Sequence, residues 1–203
     1  MRLSFAIISA ARQCCALVWL CCVIPAGAQD SLVWTTNYYA VTGMTLVEIR
    51  QSMRQARPWK ERLNVDGYTS WNVSWKFSVA PSASGCRCVS FTTQATIGVT
   101  LPRWTAPPEA AEPVREAWGR YVAALGKYEW GHAQHARGAV TELHRRMKEV
   151  GEGSDCEGLK KRLNDLGQQV VAEFRAKDRE YDERTQHGAT EGAVLPGRMR
   201  REP

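Results

Sequence analysis

No stretch of this chain stays apolar for the roughly 20 residues that a membrane-spanning helix requires, so no stable span is expected once the N-terminal segment is cleaved, an uncleaved anchor being the alternative. Nor is there a basic stripe with interleaved aromatics, which argues against nucleic acid as a partner. Cys86-Arg87-Cys88 has one intervening residue rather than two to four, and no second cysteine pair follows, so it is not a zinc knuckle. Histidine is scarce: with four in the whole chain, an imidazole site has His132, His135, His144 and His187 to draw on.

The N-terminus carries what the rest lacks. Arg2 and Arg12 flank a short, mostly apolar opening, and Cys14 to Pro25 leads into Ala26-Gly27-Ala28, the small-residue pattern after which signal peptidase cuts. Residues 1–28 read as a signal peptide. Cys21 and Cys22 lack the preceding small residue usual for a lipoprotein. Export to the periplasm or beyond places Cys86, Cys88 and Cys156 in an oxidising compartment, where one disulfide and one free thiol are expected. Cys156 is expected to pair with Cys86 or Cys88. Cleavage takes the net charge from +6 to +4, because Arg2 and Arg12 leave and no acid does.

The remaining 175 residues of the 203 suffice for one domain with its own core. Period-two alternation over Leu32–Val41, Ser70–Ala80 and Cys86–Leu101 predicts three strands. Thr45-Leu46-Val47-Glu48 has the spacing of a capping box, and Leu46, Ile49 and Met53 continue a short helix to about Gln55. The strands are expected to form a small antiparallel sheet, since the link from 80 to 86 is short and contains Pro and Gly.

After Pro107 and Pro108 the period changes to that of a helix. Trp118, Val122, Leu125, Glu129, His132, Ala136, Val140, Leu143 and Met147 form one stripe, and Leu159, Leu163, Leu166, Val170, Phe174 and Tyr181 form a second. The fold class is thus α+β: a small sheet with one short helix, then a long antiparallel two-helix hairpin. One domain is expected over 29–190, with a basic, disordered tail over 191–203. By helical rise, residues 156 to 184 span roughly 42 Å, which brings His187 back over the section from Trp118 to His132.

Tyr128-Glu129-Trp130-Gly131-His132 reads as H-E-x-x-H with tyrosine in place of the first histidine. In that motif two imidazoles one helical turn apart bind Zn²⁺, and the glutamate activates the metal-bound water. Glu129 and His132 fall within the apolar stripe, where a carboxylate and an imidazole are costly unless paired or bound to metal. Two readings follow: a metal site completed by His187, or a core histidine hydrogen-bonded to a buried glutamate. His135 and His144, off the stripe's centre or near the helix end, read as surface residues.

Tyr38-Tyr39-x-Val41-x-Gly43, Trp71 and Trp75, Leu101-Pro102-x-Trp104, Trp118-x-x-Tyr121, Glu129-x-Gly131-His132, Asp155-Cys156-x-x-Leu159 and Tyr181-Asp182-x-x-Thr185-x-His187-Gly188 recur in one order. In this the chain resembles a bacterial family with a domain of unknown function, described as secreted zinc-dependent proteases. The resemblance implies H-E-x-G-H at 128–132, with Glu129 as general base, and His132 and His187 as zinc ligands. A further ligand would be Tyr128, Asp182 or Glu191. Tyr128 departs from the pattern, because a phenol with an unperturbed pKa near 10 is a poor ligand at neutral pH. The implied function is a periplasmic or secreted metallopeptidase-like hydrolase of peptide or protein substrates, weakened by Tyr128. The alternative is a non-catalytic exported binding or envelope-structural domain that keeps the fold. The sequence does not set the oligomeric state.

Overall fold

The computed structural model describes residues 31–59 and 65–197. The expected signal peptide, its expected cleavage after Ala28 and the basic end of the tail from 198 lie outside the described residues.

Three strands, β1 (Ser31–Val41), β2 (Tyr68–Ser82) and β3 (Gly85–Trp104), form one sheet in the order β1-β3-β2. The β2–β3 hairpin is antiparallel, with Tyr68 opposite Thr100, as its short turn requires. The expectation of a wholly antiparallel sheet is corrected by β1, which pairs with β3 in parallel from Ser31↔Gln94 to Val41↔Trp104. A parallel pair needs a long crossover. Here helix α1 (Leu46–Ala56) and β2 together supply it, carrying the chain out and back before β3. Helix α1 starts as the sequence indicates: Thr45 accepts from the Glu48 amide, and the Glu48 side chain accepts from the Thr45 amide.

Along β2 the alternation is one-sided, with Trp71 and Val73 buried and Ser70, Asn72 and Ser74 exposed. The buried face is covered by α2 (Glu112–Glu149) and α3 (Cys156–Thr185). Ala133, Ala136 and Ala139 let α2 lie close to Ala95, Ile97 and Val99, while Leu143, Leu163 and Val170 fill the space between helices and sheet. Each such leucine or isoleucine, taken out of water, stabilises the fold by about 2 kcal/mol. A second cluster of Tyr39, Val41, Ile49, Met53, Trp118, Tyr121 and Leu125 packs α1 and β1 against the first half of α2.

The two long helices run in opposite directions, since Arg146 meets Glu173 while His132 meets Asp178 and Tyr128 meets Asp182. They form a hairpin laid on the sheet rather than one projecting from it. Cys86 bonds to Cys156 and exchanges backbone hydrogen bonds of 2.9 and 2.8 Å with Gly153, so the disulfide joins β3 to the start of α3. Of the two partners left open by sequence, Cys86 is the one used, and Cys88 is a half-buried free thiol. Residues 191–197, read as the start of the tail, continue the fold: Leu195 is buried in the second cluster and its carbonyl accepts from Arg50. No helix among the described residues is long and apolar enough to cross a membrane.

Candidate functional site

Positions 128, 129 and 132 of α2 face inward together because three- and four-residue steps return to the same side of a helix. Tyr128, Glu129 and His132 are all buried, at 3%, 2% and 8% exposure. Glu129 points to the sheet, where its carboxylate accepts a 2.6 Å hydrogen bond from the Thr69 hydroxyl. A Cβ at Gly67 would lie 2.6 Å from the Glu129 Oε1, so glycine there leaves the room the carboxylate occupies.

His132 points to α3 and stands between two carboxylates. Its Nδ1 is 3.0 Å from Asp178 Oδ1 and its Nε2 is 3.1 Å from Asp182 Oδ1. Asp178 and Asp182 are four residues apart and therefore share the face of α3 that meets α2. The Tyr128 hydroxyl donates to the same Asp182 Oδ1. His187 approaches it too, with Nδ1 at 3.5 Å, from an exposed position just past the end of α3. Gln186 and His187 both adopt left-handed backbone, at φ 49° and 54°. That conformation is uncommon for residues other than glycine. It turns the chain back so that Gly188 passes against Tyr128, where a Cβ would sit 2.7 Å from the ring.

His135, one turn beyond His132, places its Nδ1 2.5 Å from Asp178 Oδ1. The other Asp178 oxygen accepts from the Trp71 indole, and Arg175 stacks 3.5 Å over that indole ring. Tyr181 lies edge-on to both imidazoles and stacks on Tyr128 at 5.3 Å. Its ring fits because position 131 is glycine, where a Cβ would be 2.5 Å from it. The ligand atoms of His132, His135 and Asp178 lie within 4.8 Å of one another, close enough to hold a metal ion.

The electrostatics follow from this crowding. Burial pushes the Glu129 pKa up to about 7, opposed by the Thr69 hydrogen bond and His132 and reinforced by Asp182 and Asp178. Burial disfavours a charged His132, but the hydrogen bond to Asp178 and the charges of Asp178, Asp182 and Glu129 outweigh it and raise its pKa. For Asp178 burial acts upward, and the donors His132, His135 and Trp71 bring the pKa below the usual carboxylate value. Burial and the Asp182 carboxylate raise the Tyr128 phenol far above its ordinary range, so in this state it is a neutral donor.

The structure thus brings together Tyr128, His132, His187 and Asp182 around one carboxylate oxygen, with Glu129 on the adjoining face. The expected core pair between Glu129 and His132 is not made: Glu129 accepts from Thr69, while His132 hydrogen-bonds Asp178 and faces Asp182 at ion-pair distance. Glu191, offered as a further ligand, instead accepts from the Tyr181 hydroxyl at 3.3 Å. His144 is remote from the cluster and lies 3.1 Å from Thr93 on β3. His135 and Asp178 escaped the sequence reading. The available signal was the pair of aspartates at i and i+4 on α3, opposite two histidines at i and i+3 on α2.

No curated protein and no solved structure matches this chain. The model of a bacterial protein family of unknown function, DUF922, matches residues 36–188, a span that runs from β1 through His187 and takes in the whole polar cluster. The chain belongs to that family.

Proposed function

We propose that this protein is an exported, zinc-dependent peptidase-like protein, with His132 anchoring the metal and Glu129 as general base. Tyr128, in place of the motif's first histidine, limits it to slow hydrolysis of peptide bonds. The observation that carries this reading is the placement of His132: a buried imidazole held at both nitrogens by carboxylates, one turn from a buried glutamate on the same helix. Imidazole and carboxylate are the donors zinc takes, and a ligand histidine commonly has its second nitrogen held by a carboxylate. The residues present therefore fit the metal. Bound there, zinc would polarise a carbonyl and lower the pKa of water.

The chain's own residues do the rest. Thr69 and Gly67 fix the Glu129 carboxylate on the sheet side of α2, where it can take a proton from water. His187 stays exposed at the rim, 3.5 Å from Asp182 Oδ1 and on the Nε2 side of His132. The Cys86–Cys156 disulfide suits an oxidising compartment, in keeping with export.

One observation favours a second reading. The Tyr128 hydroxyl occupies Asp182, which fits a domain that keeps the fold for binding and has lost catalysis. Hydrolysis of a quenched fluorescent peptide library, with zinc restored to chelator-treated protein, separates the two. The peptidase reading expects slow zinc-dependent turnover that Glu129→Gln abolishes while zinc binding persists. Zinc binding without turnover would leave the binding domain, and absence of zinc binding would overturn the metal assignment.

A further inference from the structure

We infer that the metal in this chain sits on the Nδ1 side of His132, in a two-histidine, one-carboxylate site formed by His132, His135 and Asp178. This rests on the reading that His132 binds a metal, and it names the partners. Tyr128 lies on the other side. There the phenol donates to Asp182 Oδ1, the oxygen that His132 Nε2 and His187 also address, so that carboxylate already serves as acceptor for a buried hydroxyl. Replacing the histidine that a full motif would carry at 128 thus removes a ligand and also ties up a neighbouring one.

On the Nδ1 side nothing is removed. His132 and His135 are three residues apart on α2, and both direct Nδ1 at Asp178 Oδ1, from 3.0 and 2.5 Å. The three ligand atoms fall within 4.8 Å of one another. Two imidazoles and a carboxylate on one triangular face, with the remaining positions open, form a ligand set used by zinc hydrolases and by non-haem iron sites. The outer support is present as well. The Trp71 indole donates to the second Asp178 oxygen and orients the carboxylate, and Arg175 holds the indole from above. Supports of this kind commonly alter metal affinity by about 10- to 100-fold. The His135 side chain is 23% exposed, more open than His132 or Asp178, which gives an ion a route in.

The proposal is that the site has moved one turn along α2, from positions 128 and 132 to positions 132 and 135. Calorimetric titration of Zn²⁺, and of Co²⁺ followed by its visible absorption, into metal-free full-length mature protein tests it. Wild type is compared with His135→Ala, Asp178→Asn and His187→Ala, each checked for native circular dichroism. Loss of about tenfold or more in affinity is expected for His135→Ala and Asp178→Asn, with His187→Ala within about threefold of wild type. Long-range ¹H–¹⁵N spectra should show zinc shifting the Nδ1 signals of His132 and His135 rather than Nε2. Should Asp178→Asn fail to fold, His135→Ala and the nitrogen assignment still decide the matter. If His187→Ala carries the loss and His135→Ala binds as wild type does, the metal sits on the Nε2 side. That result sinks this inference and leaves the metal reading standing. A wild type that binds neither ion overturns both.

Discussion

The two ends of the α2–α3 pair are buried to a similar degree by opposite means. Near the turn between them, Leu143, Met147, Leu159 and Leu163 close against the sheet beside the Cys86–Cys156 bond, and their ion pairs, such as Arg146 with Glu173, stay towards the surface. At the far end the same two helices bury Tyr128, Glu129 and His132 against Asp178 and Asp182. Apolar burial and a covalent tie stabilise the first end without requiring any further partner. Burying several ionisable groups at the second costs stability unless each is paired, and the structure pairs them so closely that a bound cation would have to share the same ligand atoms. The first end therefore supports the fold, and the second is the place to look for chemistry.

Breaking the disulfide should have the largest effect. It closes a loop of 70 residues in the unfolded chain, so Cys86→Ser with Cys156→Ser should lower stability by about 4 kcal/mol. Urea unfolding of wild type with and without reductant checks this against the double variant. Metal affinity should change far less, because no ligand lies at that end.

The polar end should respond in the opposite sense. A carboxyl whose folded pKa is about 7 and whose ordinary value is 4.5 binds its proton more tightly in the folded state. Its contribution is present in full below about pH 4.5 and is lost as pH rises through 7. Glu129→Gln removes the charge while retaining a partner for Thr69. In metal-free protein it should stabilise by about 3 kcal/mol at pH 8 and by almost nothing at pH 4. Thermal melts at the two pH values would contradict this if the variant were equally or less stable at both.

Restoring the motif should sharpen the contrast further. Tyr128→His frees Asp182 from the phenol and adds an imidazole on the Nε2 side of His132, which should create a second place for zinc beside the one on the Nδ1 side and raise total zinc affinity by about tenfold or more. Calorimetry should show that gain together with a melting temperature that follows zinc concentration. The smallest expected effects come from two glycines of α2. Gly126→Ala meets open space and should stabilise by about 1 kcal/mol through helix propensity. Gly131→Ala meets the Tyr181 ring at 2.5 Å and should instead destabilise by about 1 kcal/mol. Equal gains at both positions would mean that Tyr181 does not pack as described.

Much of the architecture was legible because its signals are local. The Thr45–Glu48 capping box sets the start of α1, and the stripe from Trp118 to Met147 sets the face of α2. The direction of β1 was not legible. Its partner is chosen by contacts with β3 some sixty residues away, and alternation says only that a strand exists. The site divides in the same manner. Glu129 and His132 stand out because a motif and an apolar stripe coincide on them. His135 was passed over because it faces α3 rather than the sheet, and Asp178 because α3 was read through its apolar positions alone. Both enter the site across a helix pair whose register is a tertiary property.

Elemental analysis of mature protein recovered from the exported fraction, without added metal or chelator, decides whether the polar end holds a metal. Close to one transition-metal ion per chain is expected in wild type and almost none in a folded His132→Ala variant. Wild-type protein that carries no metal and takes up none when offered zinc would rule out a metal at His132, and so would a His132→Ala variant that keeps its metal.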